Sequence, residues 1–130
     1  MTIKEYDFSP ADGKGILGSM NEIGVVTFFI SAGEDSPVRG TEMFNRMMAD
    51  FGEEARAIQG QWIRSRTGEP STNIDKVNEL TAAGMKLEEA IQRAWTVTRA
   101  RKLGFVNVRL LGNPVGAPGA YDLIQVLIER

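Results

Sequence analysis

A chain of 130 residues, 42% hydrophobic and 25% charged, has the ordinary composition of one globular domain, which excludes a disordered or low-complexity protein. With no Cys and no His, thiol nucleophiles, imidazole bases, disulfides and Cys/His zinc sites are excluded by inspection. The net charge of -2 is spread without a concentrated basic face, which argues against binding duplex nucleic acid.

The opening stretch MTIKEYDFSP has no apolar core, and no window approaches eighteen apolar residues, so neither a signal peptide nor a membrane span is expected. The missing cysteines fit a cytoplasmic protein, with a secreted effector module as the alternative. The runs KGILGSM (14–20) and GVVTFFIS (24–31) are rich in strand formers and are separated by Asn21, Glu22 and Ile23, which predicts a hairpin. The second run is almost wholly apolar, as in a central strand covered on both faces.

After the loop AGEDSPVRG, Met43, Phe44, Met47, Met48 and Phe51 recur at helical spacing, and Gly52 supplies a stop. ARAIQGQWI (55–63) alternates like a strand, with Ile58, Gly60 and Trp62 sharing one face. Strand, helix and strand of this length predict a βαβ unit with its two strands parallel and a right-handed crossover.

The polar loop RSRTGEPST (64–72) ends at Thr72, a candidate N-cap, and Asp75 favours the start of a second helix. That helix turns Ile74, Val77 and Leu80 inward and stops at Gly84. Over 86–103 the residues Leu87, Ile91, Ala94, Trp95 and Thr98 predict one further helix, with Trp95 in the core as Trp62 is in its strand. FVNVRLL (105–111) and YDLIQVLIE (121–129) read as strands around the loop GNPVGAPGA, which is longer than a tight hairpin needs and is expected to serve binding. The expected fold is a single α/β (α+β) domain over 1–130, with a mixed sheet of about five strands in the order ββαβααββ.

Val38, Arg39, Gly40 and Thr41 lie where a strand-to-helix turn is predicted. The macrodipole of the following helix favours negative charge there, and a glycine lets a phosphate approach the backbone. The alternative is that Gly40 only permits the turn while Arg39 is solvated. Asn78, four residues after Ile74, lies near the buried helix face, where it either binds ligand or backbone at the sheet edge or serves as a packing amide. Arg93, Arg99, Arg101 and Lys102 do not share one helix face and read as solvated surface.

The succession of a buried strand, the loop with VRGTEMF, a helix, a strand and a helix running into RARKLGFVNVRL resembles the second half of the GNAT superfamily of acyl-CoA N-acyltransferases, over about residues 24–111. The resemblance implies that Val38, Arg39, Gly40 and Thr41 receive the pyrophosphate of acetyl-CoA or another acyl-CoA. It implies transfer of the acyl group to a small-molecule or protein acceptor. Where the family has a second glycine this chain has Glu42, and the frequent tyrosine general acid corresponds to Ala100, which leaves Tyr121 of the last strand as the candidate for that role. EMFNRMMADFG, the QW strand, NIDKVNEL, the AWT helix ending in LGF, and GAPGAY also resemble uncharacterised modules at the C-terminal ends of large modular bacterial toxins. A non-enzymatic interaction module using 112–120, self-associating or not, is the competing class.

Overall fold

The computed structural model describes residues 1–32, 35–68 and 70–130. It is an α/β fold whose six strands are β1 (Thr2–Ala11), β2 (Lys14–Asn21), β3 (Val25–Ser31), β4 (Ala57–Ile63), β5 (Asn107–Leu110) and β6 (Leu123–Glu129). They form one mixed sheet in the order β1-β2-β3-β4-β6-β5. The helices are α1 (Gly40–Phe51), α2 (Thr72–Ala82), α3 (Leu87–Ile91) and α4 (Trp95–Lys102). Within the span 1–130 the chain divides into two compact units, Met1–Ile58 and Gln59–Arg130, with the boundary inside β4.

In the first unit β1, β2 and β3 form an antiparallel meander. The predicted hairpin is present. Its turn is built by Asn21, whose side-chain oxygen accepts the main-chain N–H groups of Ile23 and Val25 at 3.1 and 2.9 Å. Gly24 closes the turn at φ +84, and a Cβ on it would lie 2.4 Å from the Glu54 carbonyl oxygen, so only glycine fits. The Gly24 carbonyl in turn accepts the Arg56 N–H at 2.8 Å, and β3 and β4 run parallel from there at Val25↔Ala57 and Val26↔Ile58, as the βαβ reading requires.

α1 buries the five residues its spacing predicts, Met43, Phe44, Met47, Met48 and Phe51. They meet the inward positions of the meander. Phe44 packs edge-on against Phe28 with ring centroids 5.3 Å apart, and Gly18 leaves the space that Met47 fills. Burying side chains of this size contributes roughly 1.5 to 3 kcal/mol each before the entropy of ordering them is counted.

The structure corrects the sequence reading of this unit in two ways. β1 is an additional strand, which raises the number from about five to six. β3 is not covered on both faces: Val26 is buried, whereas Thr27 and Phe29 face outward and are exposed. An apolar run does not reveal which of its faces is covered, because a strand buries alternate residues whatever the outward ones are.

In the second unit β5 and β6 are antiparallel, and β6 buries Ile124, Val126 and Ile128 in strict alternation. The Arg64 N–H donates to the Asp122 carbonyl at 3.0 Å, tying the segment after β4 to the approach to β6. α2 turns Ile74, Val77, Asn78 and Thr81 inward, while Leu80 is only half-buried. Its N-cap is Ser71 and not Thr72, and Asp75 reaches back to accept the Ser71 N–H at 2.8 Å.

The single helix expected over 86–103 is two. Ala94 is extended at φ -65, ψ 149, and α4 begins after it. A tertiary contact accompanies the break: the Asn73 side-chain oxygen accepts the Thr96 N–H at 2.9 Å, and its amide N–H₂ donates to the Thr96 hydroxyl at 2.9 Å, so a residue of α2 caps α4. Trp62 is buried as expected, whereas Trp95 is half-buried, with Arg99 5.3 Å from its ring.

Candidate functional site

The turn into α1 is the first candidate. Arg39 is the N-cap residue at φ -71, ψ 149, its side chain makes no capping hydrogen bond, and Gly40 opens the helix. Helix geometry gives this end a partial positive charge, which an anion complements. Of the loop that leads here, Gly33 and Glu34 lie outside the described residues, as does Glu69 of the loop 64–72. Lys14 donates to Asp35 in the same loop and holds that carboxyl below the usual carboxylate range.

Beside the turn is a shallow, solvent-open depression of about 610 Å³ lined by Arg39, Thr41, Glu42, Asn45, Arg46 and Ala49. Glu42 directs its carboxylate along the helix to Arg46, with Oε2 to Nη2 at 3.3 Å. Arg46 also lies over the Phe8 ring, 5.2 Å from its centroid, which fixes the guanidinium at the rim. Among the described residues that line it, the rim therefore carries two guanidinium groups and one carboxylate, which is matched by one of them. Val38 is half-buried and lends its carbonyl oxygen to the Ser36 hydroxyl at 2.6 Å, so it shapes the loop.

Arg46 and Asn45 are not among the residues singled out from the sequence. The signal for Arg46 was present, since it follows Glu42 by one helical turn and Arg39 by two.

The second candidate is the group around Tyr121. Asn78 is 9% exposed, and its side-chain amide is matched at both ends to one residue: the Tyr121 N–H donates to Oδ1 at 2.7 Å, and Nδ2 donates to the Tyr121 carbonyl at 3.0 Å. The side chain thus does what a neighbouring strand would do for that main chain. The Tyr121 ring is 6% exposed. One helical turn on, the Thr81 hydroxyl accepts the Gly119 N–H at 2.8 Å while donating to the Val77 carbonyl at 2.9 Å.

These bonds hold the loop 112–120 from behind, and the loop is also tied to itself. Val115 bridges to Leu123, Asp122 donates its N–H to the Val115 carbonyl at 2.8 Å, and Gly116 adopts φ +108 where a Cβ would lie 2.5 Å from the Ala120 carbonyl oxygen. Thr81 was missed in the sequence because a threonine late in a helix has no pattern that reports a partner 38 residues away.

Among the described residues no group of three or more Asp or Glu side chains could hold a metal ion, and no helix is long and apolar enough to cross a membrane. No protein-family model, curated protein or solved structure matches the chain.

Proposed function

We propose that this chain binds a phosphate-bearing nucleotide, an acyl-CoA first among them, at the N-terminal turn of α1. In this reading it is an acyl-CoA-dependent N-acyltransferase or a relative that keeps the binding without the transfer. The observation that carries it is Arg39 at the rim of a depression at the positive end of a helix joining two parallel strands, where the neighbouring Glu42 carboxylate is matched by Arg46. A CoA pyrophosphate fits that donor set, because charge-assisted hydrogen bonds to guanidinium groups are about twice as strong as neutral ones. When bound, an acyl-CoA supplies a thioester as acyl donor to an amine.

The binding half of the reading has more support than the transfer half. Asn78 uses its amide on the main chain of Tyr121, and the Tyr121 ring is buried, so what these two residues visibly do is to hold structure. A second reading draws on the loop 112–120, which is held in one shape and presents Val115 at 52% exposed. A rigid loop with an exposed apolar residue suits an interaction module.

Calorimetric titration of CoA tests the proposal. Arg39→Ala is expected to weaken binding by roughly 1.5 to 3 kcal/mol while leaving the fold intact, because Arg39 is exposed. CoA at 100 times its dissociation constant is expected to stabilise the chain by about 2.7 kcal/mol. If neither CoA nor adenine nucleotides bind, the turn is only a helix start and the interaction module takes its place.

A further inference from the structure

The outward face of the β1–β3 meander has a composition that no other feature of the first unit accounts for. Register places Asp7, Leu17 and Phe29 in one row across the three strands and Glu5, Ser19 and Thr27 in the next. Phe29 is 72% exposed, Leu17 55% and Ile3 51%, and Phe29 and Leu17 are direct cross-strand neighbours. Ser19 and Thr27 satisfy each other at 3.1 Å. As cross-strand neighbours the two support their strands, but most of their area is left in water.

The charged side chains in these two rows, Glu5 and Asp7, are both acidic. The three strands contain two basic residues, Lys4 and Lys14, and both are committed elsewhere: Lys4 donates to the Asp50 carbonyl, and Lys14 pairs with Asp35 at 3.0 Å. Glu5 and Asp7 remain on the outward face with no ion pair among the described residues. Two copies docked through this face would bring four carboxylates together without a cation, and phosphate-bearing surfaces, whether nucleic acid or acidic lipid, would be repelled.

We propose that this face docks a segment of another protein that presents an apolar side chain to Phe29 and Leu17, with Lys or Arg beside it to meet Glu5 and Asp7. The apolar pair supplies the area removed from water, and the carboxylates select the sign of the partner and orient it. The surface is independent of the α1 turn, so nucleotide binding and docking stand or fall separately.

Selection from a random-decapeptide display library on the full chain tests this. Enriched peptides are expected to combine an aromatic or aliphatic residue with adjacent Lys or Arg. Their affinity should fall at least tenfold on Phe29→Ser and, separately, on Glu5→Lys/Asp7→Lys. Both variants alter exposed positions, and an unchanged melting temperature shows that they fold. The proposal is overturned if nothing is enriched, if the enriched peptides bind Phe29→Ser as well as the parent, or if they lack basic residues and ignore the charge reversal. A dimer of the parent that Phe29→Ser dissociates would also overturn it, since the occupant would then be a second copy.

Discussion

α1 and α2, of 12 and 11 residues, each carry polar side chains among their apolar ones but use them in opposite ways. On α2, Asn78 and Thr81 are turned inward and Asn73 is half-buried, and each pairs with a main-chain group far along the chain, at Tyr121, Gly119 and Thr96. On α1, Glu42, Asn45 and Arg46 are turned outward along an open depression, and the pair formed there is local, one helical turn long. The lesson is that an amide with two distant, buried partners belongs to the architecture, whereas charged groups at an exposed helix start remain disposable to the fold. Substitutions should therefore cost stability on α2 and alter binding on α1.

The largest effect is expected at Asn78. Asn78→Leu keeps the branching and number of heavy atoms of the side chain but leaves the Tyr121 N–H and carbonyl without the Asn78 amide in a buried place. Orphaning two such groups costs about 2 to 6 kcal/mol. Urea denaturation measures this, and a loss under about 1 kcal/mol would show that the clamp is not what holds Tyr121. A variant that keeps its stability but loses ligand binding would return Asn78 to the ligand-binding role its position in the sequence also allowed.

What the sequence disclosed about these regions follows the same division. α1 was legible because Met43, Phe44, Met47, Met48 and Phe51 repeat at helical spacing and nothing distant interferes. The break between α3 and α4 was not, because the apolar spacing continues through it and Asn73, which caps α4 at Thr96, lies 23 residues from its partner. β1 was hidden for a different reason. Its inward positions include Lys4 as well as Tyr6 and Phe8, all only half-buried, and Pro10 weakens the pattern further. The turn 38–41 was legible as a location, but the direction in which Glu42 points depends on Arg46, and that pairing appears only once the helix is assumed.

Intermediate effects are expected from the other two polar residues of α2 with distant partners, Thr81 and Asn73. Thr81→Val is nearly isosteric and removes the acceptor of the Gly119 N–H, which should cost about 1 to 3 kcal/mol. Faster hydrogen exchange at Gly119 and its loop neighbours, with β5 and β6 unchanged, would locate the loss in the loop. Asn73→Ala removes the cap on α4 and should cost about 0.5 to 2 kcal/mol. If α3 and α4 then fuse into one helix, seen as a helical carbon shift at Ala94, the break is due to Asn73 alone; an extended Ala94 in the variant would place its cause elsewhere.

The smallest effect on stability, and the sharpest test of the contrast, is expected at Glu42. Glu42→Gln removes an exposed ion pair one helical turn long, and such pairs are worth about 0.3 to 0.5 kcal/mol and less in salt. A negative charge is also lost from the positive end of a helix, which adds a few tenths of a kcal/mol in the same direction. The fold should hardly register the change. A polyanion at the rim would register it strongly, because the substitution withdraws the Glu42 carboxylate and releases Arg46 to a second partner. CoA affinity is therefore expected to rise in Glu42→Gln and to fall in Arg46→Ala, with both effects shrinking as ionic strength increases. Calorimetry at two salt concentrations reads this directly. Unchanged affinity in both variants would place any CoA site away from this rim, and a loss of more than about 2 kcal/mol in stability would mean that α1, like α2, needs its polar face to fold.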